Sequence, residues 1–419
     1  MKEVNASIIT IGDELLIGQT VDTNSAYIAT ELNKLGIWVK RRIAVGDRKD
    51  EILNALAEQG KDCNVVIITG GLGPTADDIT KPVLCEYFNS RLVVDEAALQ
   101  NVKDIFTKLN KPLIERNLKQ GEVPDNCRVL QNRRGTAPGM WFEKDGVIYV
   151  SLPGVPHEMR GLMQDGVLPG LKSALDLPVI LHKTMLVAGK GESEIAEIIL
   201  EFESNLPSSI KLAYLPAYGM VRLRLTGRSD DEEQLAAELD DRFSELKKLV
   251  KEWMVADEDI SLQEAVSRLL KKKNRTLSTA ESCTGGYIAH LITSLPGSSA
   301  IYYGSVVSYD NSVKENILKV SSGTLQQHGA VSEETVTQMA KGVLQALGTD
   351  YAIATSGIMG PGGGSPEKPV GTVWIAVAGK HKAEARKFTF RFDRSRNTEL
   401  TAHNALNLLR KFIIDLEGD

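Results

Sequence analysis

Cysteine is scarce in this sequence and never paired. The four that occur, Cys63, Cys85, Cys127 and Cys283, share no short spacing, which excludes a cysteine zinc site and a disulfide framework and fits a reducing compartment. Histidine is as thin: the six are isolated and make no His-x-x-x-His pair, so any metal should be a hard cation held by oxygen. No apolar run approaches the roughly 18–20 residues of a membrane helix. The N-terminus passes almost directly into a strand and leaves no room for a signal peptide, so a cytoplasmic protein without membrane contact is expected. A basic excess is missing too, since 49 Lys+Arg against 55 Asp+Glu leave a net charge of −6, which argues against a protein that coats nucleic acid. Internal repeats and low-complexity tracts are absent. What is present is an ordinary globular composition, 42% hydrophobic and 25% charged, over 419 residues. That length is too great for one core and implies two or three domains.

The organisation follows from hydrophobic period. Strands are predicted over 7–12, 39–45, 64–69 and 146–151, and helices over 24–35, 50–58 and a long stretch near 96–118. Alternation of this kind gives a parallel sheet covered on both faces. Residues 184–252 read differently, with strands over 184–187 and 221–226 and charged helices over 192–203 and 232–249. Their order resembles a KH-type module. Yet no Gly-x-x-Gly clamp is present, and residues 181–252 carry 10 Lys+Arg against 14 Asp+Glu, a net −4. A spacer is favoured over a nucleic-acid contact, which stays open as the alternative. After an acidic boundary near 256–259 the alternation resumes. Strands are expected over 276–280, 305–309, 351–356 and 372–377, and helices over 261–272, 287–294, 333–347 and 398–416. The expected fold is therefore two α/β domains with mostly parallel sheets, 1–172 and 259–419, joined by a small α+β KH-like module, 173–254.

Two glycine-rich clusters stand out. Gly70-Gly71-Leu72-Gly73-Pro74-Thr75-Ala76-Asp77-Asp78 follows the apolar run Val65-Val66-Ile67-Ile68-Thr69. Glycines let backbone N–H groups approach an anion, and paired carboxylates can hold a cation against it. Phosphate plus divalent metal is the simplest ligand for this pattern. The second cluster, Ala280-Glu281-Ser282-Cys283-Thr284-Gly285-Gly286, lies where a strand hands over to a helix, so two separate sites are expected.

These segments resemble the CinA family, the competence/damage-inducible proteins. Ile11-Gly12-Asp13-Glu14-Leu15-Leu16, Asp22-Thr23-Asn24, the 70–80 loop, Gly135-Thr136-Ala137-Pro138-Gly139 and Leu152-Pro153-Gly154-Val155-Pro156 are similar to its molybdopterin-binding (MoCF-like) domain. Residues 280–286, Pro296-Gly297-Ser298-Ser299, 309–314, Gly329-Ala330-Val331-Ser332, Gly360-Pro361 and Pro369-Val370-Gly371-Thr372-Val373 resemble its nicotinamide mononucleotide (NMN) deamidase domain. The resemblance implies a bifunctional hydrolase of pyridine-nucleotide recycling. The C-terminal domain would convert NMN to nicotinate mononucleotide and ammonia. The N-terminal domain would, less uniformly across the family, cleave ADP-ribose to AMP and ribose 5-phosphate. The competing readings are a nucleotide- or molybdopterin-binding N-terminal domain without catalysis, and a non-enzymatic partner in competence or recombination.

The resemblance moves Ser282 from helix cap to nucleophile, although Ser282 or Thr284 as a plain cap remains the alternative. No histidine lies within the 280–286 or 309–314 segments, so Lys314 is the candidate base, in Tyr309-Asp310-Asn311-Ser312-Val313-Lys314, provided burial lowers its pKa. Tyr309 either donates near the amide or packs in the core. Gly285 and Gly286 would keep the helix N-terminus open for an oxyanion or phosphate, with Thr284 and Asn311 beside it. The 357–364 loop, through Gly357 and Gly360, either closes over substrate or merely connects. Arg394 and Arg396 compete for the NMN phosphate. Cys283 is the rival nucleophile. In the N-terminal domain Gly12, Asn24, Gly70, Gly71, Gly73 and Thr75 are phosphate or substrate contacts, with helix capping as the alternative for Thr23 and Asn24. Asp77, Asp78, Asp13, Glu14 and Asp47 are metal candidates, with helix-dipole complementation the alternative for Asp77 and Asp78. The cofactor expected there is Mg, Mn or Co, with K+ as a further candidate, and none at the deamidase site. A homodimer is expected by analogy with MoCF-like domains.

Overall fold

The computed structural model describes every residue except 1–3, 76, 77, 218 and 419. It divides into two units, residues 1–181 with 227–236, and residues 182–226 with 237–419.

The first unit is built on a six-stranded sheet. Its strands are β1 (Asn5–Ile11), β2 (Trp38–Val45), β3 (Val65–Thr69), β6 (Arg128–Leu130), β7 (Gly139–Lys144) and β8 (Val147–Leu152), in the order β2-β1-β3-β8-β7-β6. Two short strands, β4 (Leu92–Val94) and β5 (Glu122–Pro124), pair separately. β2, β1, β3 and β8 run parallel, and β7 and β6 add antiparallel edge strands. All five residues of β3 are buried, as a Val/Ile run covered on both faces requires. Successive side chains serve opposite cores. Ile8 and Ile67 meet Ile28 and Leu32 of the helix Thr23–Lys34, while Ile9 and Ile68 meet Ile52 and Leu56 of the helix Lys49–Asp62. Because the helices leaving β1 and β2 cover opposite faces, the carboxyl ends of β1 and β3 border an open crevice.

A four-stranded sheet follows: β9 (Val179–Ala188), β10 (Ile210–Ala217), β11 (Met220–Ser229) and β12 (Met254–Ala256), in the order β10-β11-β9-β12. With its helices Glu192–Ile198, Leu200–Ser204 and Glu232–Leu249 it forms a KH-like module. The five-stranded sheet contains β13 (Leu277–Glu281), β14 (Tyr302–Val307), β15 (Tyr351–Gly357), β16 (Thr372–Gly379) and β17 (Ala383–Thr389), ordered β14-β13-β15-β16-β17. The first three in that order are parallel and the last two antiparallel. One face carries Leu277, Ile353 and Ile375 against Leu406 and Leu409 of the helix Arg394–Glu417. The other is lined by Ala280, Ala352, Ala354 and Ala376 under Val336, Met339 and Val343 of the helix Glu333–Leu347.

Several elements depart from expectation. The helix near 96–118 is two, Glu96–Lys108 and Glu115–Leu118, because Asn110 turns left-handed (φ 50°) and Pro112 follows. β7 was not expected. It forms a hairpin with β8 through Asp145 and Gly146, both at positive φ (54° and 77°), a two-residue Asp-Gly turn that antiparallel strands favour. Among the described residues no helix is long and apolar enough to cross a membrane.

Candidate functional site

Ser282 follows β13 directly and is half-buried. Its backbone N–H donates to Thr355 O on the neighbouring strand at 3.0 Å. The chain then turns through Gly285 and Gly286, both left-handed (φ 61° and 99°), where a side chain would be strained. Glu281 holds this turn from inside. It is fully buried, and its carboxylate accepts from the N–H groups of Gly286 (3.1 Å), Ile288 (3.0 Å) and Ala289 (2.9 Å) and from Thr279 Oγ1 (3.2 Å). The N-terminus of the helix Tyr287–Thr293 is therefore closed by Glu281 instead of open to substrate, which corrects the sequence expectation. Thr284 is buried and shares a hydrogen bond with Thr355 Oγ1 (2.8 Å), so it faces the core.

A cavity of about 280 Å³ opens beside Ser282. Tyr309, Ser356, Gly357, Gly360 and Arg394 line it. Tyr309 is 65% exposed, so core packing is not its role. Its Oη accepts from Arg394 Nη2 (2.9 Å), and Arg394 Nη1 donates to Gly360 O (2.9 Å). One guanidinium thus ties the tyrosine to the 357–364 loop. Arg396 lines a different cavity, where it stacks 3.9 Å over Phe392. Asn311, in the first turn of the helix Asn311–Asn316, is exposed and does not line the Ser282 cavity.

Lys314 is 1% exposed. Its Nζ donates to the carbonyls of Ser308 (2.7 Å) and Tyr309 (3.3 Å). Burial pushes its pKa below the usual 10.5, against the opposing charge of Asp310. A neutral amine here would spend both N–H groups on carbonyls and keep its lone pair to receive a proton. No hydrogen bond joins Lys314 to Ser282 in this conformation; such contacts often tighten only with substrate bound. Burial drives the Cys283 thiol up to about 12, the wrong direction for a nucleophile at neutral pH. Two residues of this region were not singled out from sequence. Glu281 lies within the 280–286 motif, where sequence alone gives it no task. Ser356, whose Oγ donates to Ala330 O (2.6 Å), sits at the carboxyl end of a parallel strand, a position where ligands gather.

In the first unit a cavity of about 200 Å³ occupies the crevice at the carboxyl ends of β1 and β3. Thr10, Glu14, Asn24, Thr69, Gly70 and Gly71 line it. Asp22 caps the helix Thr23–Lys34, accepting from Ser25 N at 2.9 Å, which frees Asn24 from that duty. Asn24 Nδ2 donates to Gly154 O (2.8 Å) and Thr69 Oγ1 (3.3 Å), while its Oδ1 is buried without a partner. A Cβ at Gly70 would collide with the Ile11 carbonyl, so only glycine fits there. Gly12 does not line the crevice, and a Cβ there would meet the Glu14 carboxylate.

Three of the proposed metal ligands are otherwise engaged, while Glu14 lines the crevice. Asp78 folds back on its own loop, accepting from Gly73 N (2.8 Å), Thr75 N (2.8 Å) and Thr75 Oγ1, so the N–H groups of Gly73 and Thr75 are taken up within the loop although both residues are exposed. Asp13 and Asp47 exchange backbone-to-carboxylate bonds of 3.1 and 3.3 Å. Asp77 lies outside the described residues. Among the described residues no three His, Cys, Asp or Glu side chains converge as a metal site.

Family profiles match in three segments: "Probable molybdopterin binding domain" over 7–173, "Damage-inducible protein CinA KH domain" over 182–256 and "CinA C-terminal domain" over 259–413. A CinA-like protein of Cytophaga hutchinsonii is 47% identical, covering 97% of this chain and 98% of its own. A CinA-like protein of Flavobacterium psychrophilum is 44% identical over 98% of this chain and 99% of its own. The crystal structure of a competence damage-inducible protein A from Klebsiella pneumoniae is 37% identical, covering 36% of this chain and 93% of its own, with a TM-score of 0.35.

Proposed function

The chain belongs to the CinA family, and we propose that its C-terminal domain hydrolyses the carboxamide of NMN through Ser282 and Lys314. One observation carries this reading: a strand-end serine and a fixed arginine line one cavity, and a buried lysine bonds the carbonyl of Tyr309, which lines it too, and that of Ser308, whose N–H donates to the residue before the serine. Lys314 takes the proton of Ser282 Oγ as the oxygen attacks the carboxamide carbon. The tetrahedral intermediate expels ammonia, which leaves with the proton from Lys314. Water then attacks the acyl-serine, Lys314 again serving as base, and nicotinate mononucleotide departs. Arg394 holds the phosphate, with Tyr309 and Gly360 fixing its orientation. Ammonia release from NMN by the wild type, lost in Ser282→Ala, tests the assignment.

For the N-terminal domain we infer that the crevice receives a nucleotide, ADP-ribose being the candidate. The orphaned Asn24 Oδ1 needs a donor, which a ribose hydroxyl supplies, and Gly70 and Gly71 let the backbone approach a pyrophosphate. Cleavage to AMP and ribose 5-phosphate would draw on a divalent cation such as Mg, Mn or Co, with K+ as an accessory ion. The described carboxylates do not gather into a donor set for one, so no step through a metal is derived. That engagement of Asp78, Asp13 and Asp47 favours a second reading, in which this domain binds the nucleotide without cleaving it. ADP-ribose binding and turnover, measured with and without Mn, separate the two. We place the protein in the cytoplasm as a homodimer, with the KH-like module as a spacer; sedimentation reads the dimer.

A further inference from the structure

We infer that Glu281 is a positioning residue for Ser282, an internal clamp that sets the nucleophile's turn; the inference rests on the deamidase reading above. A carboxylate has about four acceptor positions, and Glu281 fills all of them with Gly286 N, Ile288 N, Ala289 N and Thr279 Oγ1. It is fully buried, and the donors it meets are backbone N–H groups and one hydroxyl. An isolated buried charge is costly unless its donors are fixed in advance. Here the donors are the first N–H groups of the helix that Ser282 precedes, a place where negative charge is favoured. Serine, threonine or aspartate as an ordinary N-cap would satisfy one of these groups. Glu281 takes three, from five to eight residues further along the chain, and so spans the whole left-handed turn that contains Ser282.

The backbone of Glu281 reaches the base as well. Its carbonyl accepts from Ser308 N at 2.8 Å, and the Ser308 carbonyl in turn receives Lys314 Nζ at 2.7 Å. Nucleophile and base thus hang from one residue, on its side chain and main chain respectively. Glutamine cannot replace it, because its amide would present N–H groups to N–H donors. With three helix N–H groups already occupied, the substrate phosphate is left to Arg394 at the other wall.

The test compares wild type, Glu281→Gln and Glu281→Asp in two readouts. Hydrogen exchange followed by peptide mass should show Gly286, Ile288 and Ala289 exchanging ~10-fold faster or more in Glu281→Gln, with the helix Glu333–Leu347 unchanged. On NMN, kcat should fall about 100-fold with KM within about threefold, because the nucleophile is displaced while the arginine wall is intact. Glu281→Asp keeps the charge and should recover part of both. Unchanged exchange overturns the clamp. A loss confined to KM, or a kcat within threefold of wild type, overturns the positioning role. A wild type that releases no ammonia refutes the deamidase reading instead, and exchange alone then decides the clamp.

Discussion

Replacing Lys314 by methionine separates its chemical role from its structural one. Methionine is of similar length and flexible, so it should fill the buried space of the lysine stem without leaving a cavity. What disappears is a donor to Ser308 O at 2.7 Å and to Tyr309 O at 3.3 Å. Each carbonyl left unsatisfied costs about 1–3 kcal/mol, partly offset because no amine is buried. The offset depends on pH with a definite sign. Burial places the folded pKa of Lys314 below the unfolded value of 10.5, so between the two the unfolded chain binds the extra proton. Native stability from this group therefore rises with pH through that window, and the penalty of burying the charge is fully felt below the folded pKa. The destabilisation of Lys314→Met should accordingly be larger near pH 10 than near pH 7, approaching about 1–3 kcal/mol per carbonyl at the higher pH. In activity, loss of a general base should cost about 10²–10⁴-fold, or roughly 3–5 kcal/mol of barrier. Wild-type ammonia release should climb with pH as Lys314 loses its proton, with a midpoint below 10.5. Urea unfolding at the two pH values and ammonia release across the range read both effects. A variant that keeps more than a tenth of wild-type activity would refute Lys314 as the base. An equal stability gap at both pH values would refute the buried, lowered amine.

Asp78→Ala should free the 73–78 loop by removing the acceptor of three donors, weakening ADP-ribose binding about tenfold or more by calorimetry while leaving ammonia release within twofold. Cys283→Ser should retain most NMN turnover, and thiol reagents at neutral pH should not inactivate the wild type, because the thiol is buried with its pKa pushed up to about 12. A chelator should stop any ADP-ribose cleavage and spare ammonia release, since a Ser–Lys pair carries its own base. Ammonia release lost on chelation would contradict that mechanism.

The legible parts of the fold were those whose sequence carries a strong period or cap. The helix Glu333–Leu347 announces itself through Ser332, which caps it at Thr335 N, and through the buried stripe Val336, Met339, Ala340 and Val343. β3 is readable as a continuous Val/Ile run. β17, by contrast, is an edge strand with the sequence AEARKFT and no buried residue, so charge masks its pairing. The Asp145-Gly146 turn was a readable signal for the missed β7. Site geometry divides in the same way. Ser282, Gly285 and Gly286 are visible as a strand handing over to a glycine turn. The Glu281 clamp is not, because its partners lie five to eight residues away and only the folded turn brings them back. Asp78 reads as a metal ligand in one dimension and is a loop brace in three. Arg394 and Arg396 could have been separated beforehand: two residues apart on one helix they point about 200° from each other, and each lines its own cavity.

The central claim, a serine amidohydrolase acting on NMN, is tested most directly by ammonia release from NMN with purified wild type and Ser282→Ala in excess chelator. Steady release by the wild type and none by the variant is the expected result. No release from the wild type, or equal release from both, would contradict it.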